Sequence, residues 1–255
     1  MSTTRVPRAA RSRRTDWIRL ATGTSADPFT AERTAGLPEP ARRWLTHAIA
    51  PGVPLWSSVE LTMHGEIRLG TWRPFHARQI LAPPHGFIWA ASARIAGLPV
   101  VGFDRYSVHS GEMRWRLLGL VPVLSAHGPD VTRSAGGRLA AEGLTLLPTS
   151  FPNATWTDDD DPDTAVGTMA IGDDQESVRL RVSPEGQLRD VLLRRWGNPG
   201  GHPYGRYPFG VTVHSERTVS GITIPATFAA GWWHGTDRQA DGEFFRATIT
   251  AAVFR

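Results

Sequence analysis

Residues 130–156, DVTRSAGGRLAAEGLTLLPTSFPNATW, form the one long run with helical apolar spacing, and β-patterned sequence lies on both sides of it. With Val131 at zero and an advance of ~100° per residue, Ala135, Leu139 and Leu146 fall within about 80°, and Glu142 falls inside that sector. Ala140, Leu144 and Leu147 make the opposite side apolar too. A helix that is apolar on both sides is covered on both sides. Asp130 is placed to cap its start and Pro148 to end it. Arg138 stands four residues before Glu142, at the edge of the same face, where the two side chains can meet. Such a pair is either structural or the charged floor of a ligand cavity, and both readings stay open at this point. Burial raises a carboxyl pKa and a neighbouring arginine lowers it, so the spacing fixes no sign.

Working outward, the period changes from helical to two. Val59, Leu61, Met63, Gly65, Ile67 and Leu69 alternate with Glu60, Thr62, His64, Glu66 and Arg68, which predicts a strand. Further strands are predicted over 75–81 and 87–93, around the turn Pro83-Pro84-His85-Gly86, and over 100–106 and 113–118, with Ser110-Gly111 between them. Beyond the helix come 166–171, then 178–182 joined to 188–196 by Ser183-Pro184-Glu185-Gly186, and finally 211–217, 222–228 and 244–254. Residues 197–210, rich in Gly and Pro, read as a lid or as an ordinary long loop. Before the first strand, Pro38-Glu39-Pro40 opens a short helix whose stripe is Ala41, Trp44, Leu45 and Ala48. Strands joined by short turns with no alternating helices demand an antiparallel sheet. The expected fold is mainly β (α+β): a strongly curved antiparallel sheet or incomplete barrel, with the central helix in its concave face and a short N-terminal helix.

At 255 residues the chain is long enough to bury a substantial core, and ten Trp and ten Phe supply it or line a cavity. The sequence pI near 10.5 invites a nucleic-acid reading. Residues 1–20, however, hold six Arg and one Asp, a net of +5, while the remaining 22 arginines face 23 acids, a net of −1. The basic character belongs to the tail, so no specific nucleic-acid partner is expected. Residues 1–36 read as a disordered Arg-rich leader that can make weak contact with an anionic surface, and 37–255 as a single curved-sheet domain. Ser12-Arg13-Arg14-Thr15-Asp16-Trp17 begins like a twin-arginine export signal. Arg19, Thr22, Thr24, Ser25 and Asp27 then interrupt the apolar region such a signal needs. No run reaches transmembrane length, and the expected location is cytoplasmic.

Absent motifs narrow the chemistry. Without Cys there is no disulfide framework, thiolate zinc site or Cys nucleophile. There is no Gly-x-Ser-x-Gly elbow. The nine His are scattered singly, so no metal is assigned, although His64, His76 or His214 could meet on one sheet face. The acidic run Asp158 to Asp161 with Asp163 lacks the spaced ligands and turn glycine of a calcium loop and reads as a solvated loop. No cofactor is implied.

Phe103-Asp104-Arg105-Tyr106, Gly111-Glu112-Met113, Leu118-Gly119-Leu120-Val121-Pro122-Val123, Arg138 with Glu142, Pro148, Trp156 and Gly242-Glu243-Phe244-Phe245-Arg246 together resemble a bacterial family known only as a domain of unknown function. The resemblance runs from about Leu37 to the C-terminus and implies no activity. Many members begin with an apolar membrane segment, where this chain carries its Arg-rich leader. At the level of architecture, the mid-chain helix and the late segments Ser-Pro-Glu-Gly-Gln-Leu and Ser-Gly-Ile-Thr-Ile-Pro resemble the periplasmic lipoprotein-carrier fold. That resemblance implies an incomplete barrel whose concave face, plugged by a helix, binds an acyl chain.

Three functions follow as expectations. In the first, an aromatic-lined cup binds an apolar or amphipathic small molecule whose polar end is oriented by Arg138 and Glu142, with Asp104, Arg105, Tyr106, Trp156, Arg195, Trp233, Glu243 and Arg246 as further ligand-binding candidates. In the second, a cofactor-independent isomerase, cyclase or hydrolase uses Glu142 as general acid or base beside Arg138 in the same cavity. In the third, the pair serves only structure or partner binding.

Overall fold

The computed structural model of the chain describes residues 5–23 and 25–255. A 3-10 segment over Arg8–Arg13 leads into helix α1 (Arg14–Ala21). Strands β1 (Ser25–Pro28) and β2 (Pro54–Trp56) pair with each other, and helix α2 (Glu39–Ala48) lies between them in sequence. Six strands follow as successive hairpins: β3 (Val59–Leu69), β4 (Thr71–Ala82), β5 (Gly86–Ile95), β6 (Leu98–Ser107), β7 (Ser110–Leu117) and β8 (Val121–His127). The central helix α3 (Pro129–Leu146) comes next. Seven strands complete the chain: β9 (Ala154–Asp158), β10 (Thr164–Ile171), β11 (Asp174–Val182), β12 (Leu188–Gly197), β13 (Gly205–Val219), β14 (Ile222–Trp232) and β15 (Glu243–Phe254).

Among the described residues these thirteen strands make one sheet in the order β8-β7-β6-β5-β4-β3-β15-β14-β13-β12-β11-β10-β9. Every neighbouring pair is antiparallel, and β15 closes the two halves by pairing with β3. The sheet's two edges, β8 and β9, are joined in sequence through α3. Twelve spacings of roughly 4.8 Å would set the edges of a flat sheet about 58 Å apart. A helix of 18 residues reaches only about 27 Å. The sheet therefore curls, and the helix that links its edges lies in the hollow. This is the expected curved antiparallel half-barrel with a central helix and a short N-terminal helix.

Both sides of α3 are buried: Ala135, Leu139 and Leu146 on one, Ala140, Leu144 and Leu147 on the other. The expected N-cap is corrected. The helix begins at Pro129 after Gly128 (φ 108), and the Thr132 hydroxyl, donating to the Gly128 carbonyl at 2.9 Å, closes its first turn. Asp130 sits inside that turn and accepts the Trp196 indole N–H at 2.9 Å. The α2 stripe of Ala41, Trp44, Leu45 and Ala48 is buried, the last three in the same core.

Three local readings change. β8 and β9 were absent from the sequence reading: β8 is an apolar run that does not alternate, carries Pro122 and is exposed, as an edge strand allows. Half of the segment 197–210 is strand, since β12 ends at Gly197 and β13 starts at Gly205 and includes Arg206 and Tyr207, so 198–204, with a 3-10 turn at Pro199–Gly201, remain between them. The disordered leader does not hold for residues 5–23 and 25–36, while residues 1–4 and 24 lie outside the described residues. Trp17 and Leu20 of α1 are buried on the convex face against Ile80, Ile88 and Phe103. These are outward-pointing strand residues that need a cover, and the leader supplies it.

Candidate functional site

One cross-strand ladder positions the polar part of the hollow. Leu61, Gln79, Trp89, Asp104 and Met113 are successive partners across β3 to β7. Side chains alternate along a strand, so residues in one ladder share a face, here the face toward α3. Gln79 donates to Glu142 at 2.5 Å, and the Arg138 Nε donates to the other oxygen of that carboxylate at 2.7 Å. Arg138 Nη1 approaches Asp104 at 3.4 Å, and the Trp115 indole donates to Asp104 at 2.9 Å. Trp115 reaches it because it lies across Gly102, where a Cβ would stand 2.6 Å from the indole. The Arg138 guanidinium is over Phe87 and Trp89, at 4.7 and 5.3 Å from the ring centroids.

Arg195 enters from β12. Its guanidinium donates to the Ser134 carbonyl at 3.2 Å and lies over Phe209 and Trp232. Burial, and next the nearby charge of Arg138, lower its pKa to about 10, against the opposing pull of Glu142, Asp104 and Glu176. It stays a cation at neutral pH. Burial raises the Asp104 carboxyl pKa, and the Glu142 charge adds to that; Arg138, the Trp115 hydrogen bond and Arg195 act the other way without cancelling it. The site thus holds two guanidinium and two carboxyl groups, all partly or fully withdrawn from solvent.

These groups line a cavity of about 350 Å³ between α3 and the sheet. Met63, Ile67, Leu146, Phe228, Phe244 and Phe245 form apolar wall around the charged group. Trp89 is buried there, and its indole N–H has no hydrogen-bond partner.

The structure brings Arg138, Glu142, Asp104 and Arg195 together and disperses the other candidates. Arg105 turns to the convex face, donating to Glu112 at 2.8 Å and standing 3.9 Å from Asp16 of α1. Tyr106 is part of the packed core, its phenol pKa raised by burial and then by Asp174 and Asp173. Trp156 packs on Trp44 with ring centroids 6.2 Å apart. Trp233 stacks with His202, Tyr207 and Arg238 outside the cavity, and its neighbour Trp232 lines it instead. Glu243 and Arg246 pair with each other at 2.7 Å, Arg246 lying over Trp72, while Phe244 and Phe245 between them supply the wall. Gln79, Trp89, Trp115 and Ser134 escaped the sequence reading. Each is assembled by register or by the helix, and none sits in a motif.

His64 and His76 face each other across β3 and β4, ring centroids 6.2 Å apart, on the exposed face. Among the described residues no three His, Asp or Glu gather as metal ligands. The carboxylates of the acidic loop are engaged locally: Asp159 by Arg179, Asp161 by Thr164 and Asp163 by Arg43. No helix among the described residues is long and apolar enough to cross a membrane.

No curated protein matches the chain. Among solved structures it is similar to a domain described as an outer membrane lipoprotein-sorting protein from Vibrio parahaemolyticus, at 10% identity and a TM-score of 0.44, covering 89% of this chain and 94% of that one. It is also similar to a LolA superfamily protein from Nitrosomonas europaea, at 9% identity and a TM-score of 0.37, covering 78% and 85%. Residues 27–244 match the profile of a family of unknown function, DUF6544, and the chain belongs to that family.

Proposed function

We propose that the protein binds an amphipathic small molecule in this cavity, its apolar body against the aromatic wall and its polar end at Arg138, Glu142, Asp104 and Arg195. One observation carries the reading: a cavity of about 350 Å³ is walled by Phe, Trp and Met on most sides and by a compact four-charge group on the remaining one. Apolar cavities with a few convergent polar groups are where small molecules bind. The charge balance favours an acidic headgroup. Arg195 stays cationic at neutral pH, and burial raises the Asp104 carboxyl pKa, so burial works against negative charge at this end of the cavity.

A fluorescent fatty acid, dansyl-undecanoic acid, tests this. It should bind one per chain, with energy transfer from tryptophan. Ala141→Trp, which fills the cavity from α3, should weaken binding at least tenfold while the protein still melts cooperatively. Arg138→Gln should weaken the carboxylate probe more than its alcohol analogue. Binding that ignores Ala141→Trp would place the probe elsewhere and sink the reading.

A second reading keeps the cavity and makes it a reaction chamber with Glu142 as general acid or base. What favours it is the pairing of two carboxylates through Arg138 in a buried site where one of them has a raised pKa. Under it, Glu142→Gln abolishes turnover and leaves probe affinity nearly unchanged.

A further inference from the structure

Three hairpin turns gather exposed aliphatic side chains at one end of the sheet. β3 to β8 are consecutive antiparallel neighbours, so the β3–β4, β5–β6 and β7–β8 turns lie at the same end. They carry Leu69, Ile95, Leu98, Leu118, Leu120 and Val121, all exposed, Leu120 to 74%. The Leu118 N–H bonds the Pro99 carbonyl at 2.7 Å and ties the second and third turns together. The segment 118–123 is also a sequence motif that neither the cavity nor the core uses.

Leu118 has a φ of 56°, in the left-handed region that Gly or Asn occupies at lower cost. A large apolar side chain at a strained, solvent-facing turn position destabilises the folded state on two counts.

The three turn segments themselves carry charge of one sign. Segments 67–74, 94–99 and 114–125 contain Arg68, Arg73, Arg94, Arg114 and Arg116 and no Asp or Glu. Arg114 pairs with Glu112, and Arg68 donates to the backbone carbonyls of Asp241 and Glu243. Arg94 and Arg116 are exposed beside the leucines. Aliphatic tips on turns that themselves carry cations and no acids, the nearest acids being Glu66, Asp241 and Glu243 beside the β3–β4 turn, match a phospholipid surface, where apolar groups enter the acyl boundary and guanidiniums meet phosphates. A partner strand pairing with the β8 edge would leave Leu69, Ile95 and Leu98 uncovered, because those belong to interior strands. A flat surface meets all three turns.

We propose that this end of the sheet docks on an anionic phospholipid membrane surface. The proposal stands apart from what the cavity holds. Co-sedimentation of the full chain with vesicles of phosphatidylglycerol and phosphatidylcholine, beside vesicles of phosphatidylcholine alone, tests it. The chain should partition onto the anionic vesicles, less so as salt rises. The double variant Leu118→Asn with Leu120→Ser should lower the partition coefficient at least tenfold, and Leu118→Asn suits the turn, so folding is preserved. Arg94→Gln with Arg116→Gln should weaken binding to anionic vesicles only. No partition by the wild type, or equal partition by the leucine variant, overturns the proposal. So does binding lost only when Arg8, Arg11 and Arg14 of the leader become Gln. A concentration-dependent dimer that the leucine variant abolishes would assign the turns to a second copy and overturn it as well.

Discussion

Asp104 shows how one residue's environment decides its sign. It accepts from Trp115 and faces Arg138, both of which favour the carboxylate, yet burial outweighs them and the pKa rises. The folded state therefore binds a proton at Asp104 more readily than the unfolded chain, so ionising it costs stability as pH rises through the folded pKa. Asp104→Asn removes that cost. The melting temperature of the variant relative to the wild type should climb as pH rises above the reference carboxyl pKa of ~3.9. A difference that falls with pH would mean that the attraction of Arg138 outweighs burial.

At the scale of the element, α3 is fitted to the hollow by its glycines. A Cβ on Gly143 would stand 2.8 Å from Pro83, in the turn between β4 and β5, and a proline ring cannot swing aside. Gly143→Ala should cost about 1–3 kcal/mol by overpacking. Gly136 differs: its nearest neighbour would be the Ile171 side chain at 3.4 Å, an ordinary contact. Gly136→Ala should be neutral or stabilise by up to about 1 kcal/mol through helix propensity. The denaturant midpoint should fall for Gly143→Ala and hold or rise for Gly136→Ala, and equal shifts would mean the helix does not approach Pro83 so closely. The sequence made this helix legible, together with its i, i+4 pair of Arg138 and Glu142, because local spacing encodes both. It made the strands legible wherever one face is wet and the other dry, as in β3. β8 stayed hidden because an exposed edge strand has no dry face to impose alternation. Gln79, Trp89 and Trp115 stayed hidden because only the register, a property of pairs of distant strands, places them beside Glu142 and Asp104. Arg195 could be nominated from sequence, whereas Trp233 in place of Trp232 is a one-residue error that puts a side chain on the wrong face.

On the scale of the whole molecule, the sheet has two apolar faces, and composition alone hides the second. Six arginines in residues 1–20 read as a solvated leader, but Trp17 is buried against Ile80, Ile88 and Phe103, and Arg13 and Arg19 fasten it. Glu112 on the convex face receives Arg13 at 2.5 Å, Arg105 at 2.8 Å and Arg114 at 2.6 Å, and Arg19 donates to Ser107 at 2.5 Å. Burial alone would raise the Glu112 pKa; the Arg105 hydrogen bond and the charges of Arg13, Arg105 and Arg114 overcome it and hold the carboxyl below its usual value. A carboxyl lowered in the folded state contributes stability that is present above its unfolded pKa, ~4.3, and is lost as pH falls through the lower folded value. The leader should therefore loosen from the sheet in acid while the hollow side, where Asp104 titrates in the opposite sense, gains. Hydrogen exchange over residues 14–21 should be slow at pH 6 and accelerate, after correction for intrinsic rates, near pH 3. In Glu112→Gln, which removes about 2 kcal/mol of charge-assisted hydrogen bonding, protection should be weakened already at pH 6 and change less with acid. If wild type and variant lose protection in parallel, the arginines grip the sheet through other groups, and the burial of Trp17 alone holds the leader in place.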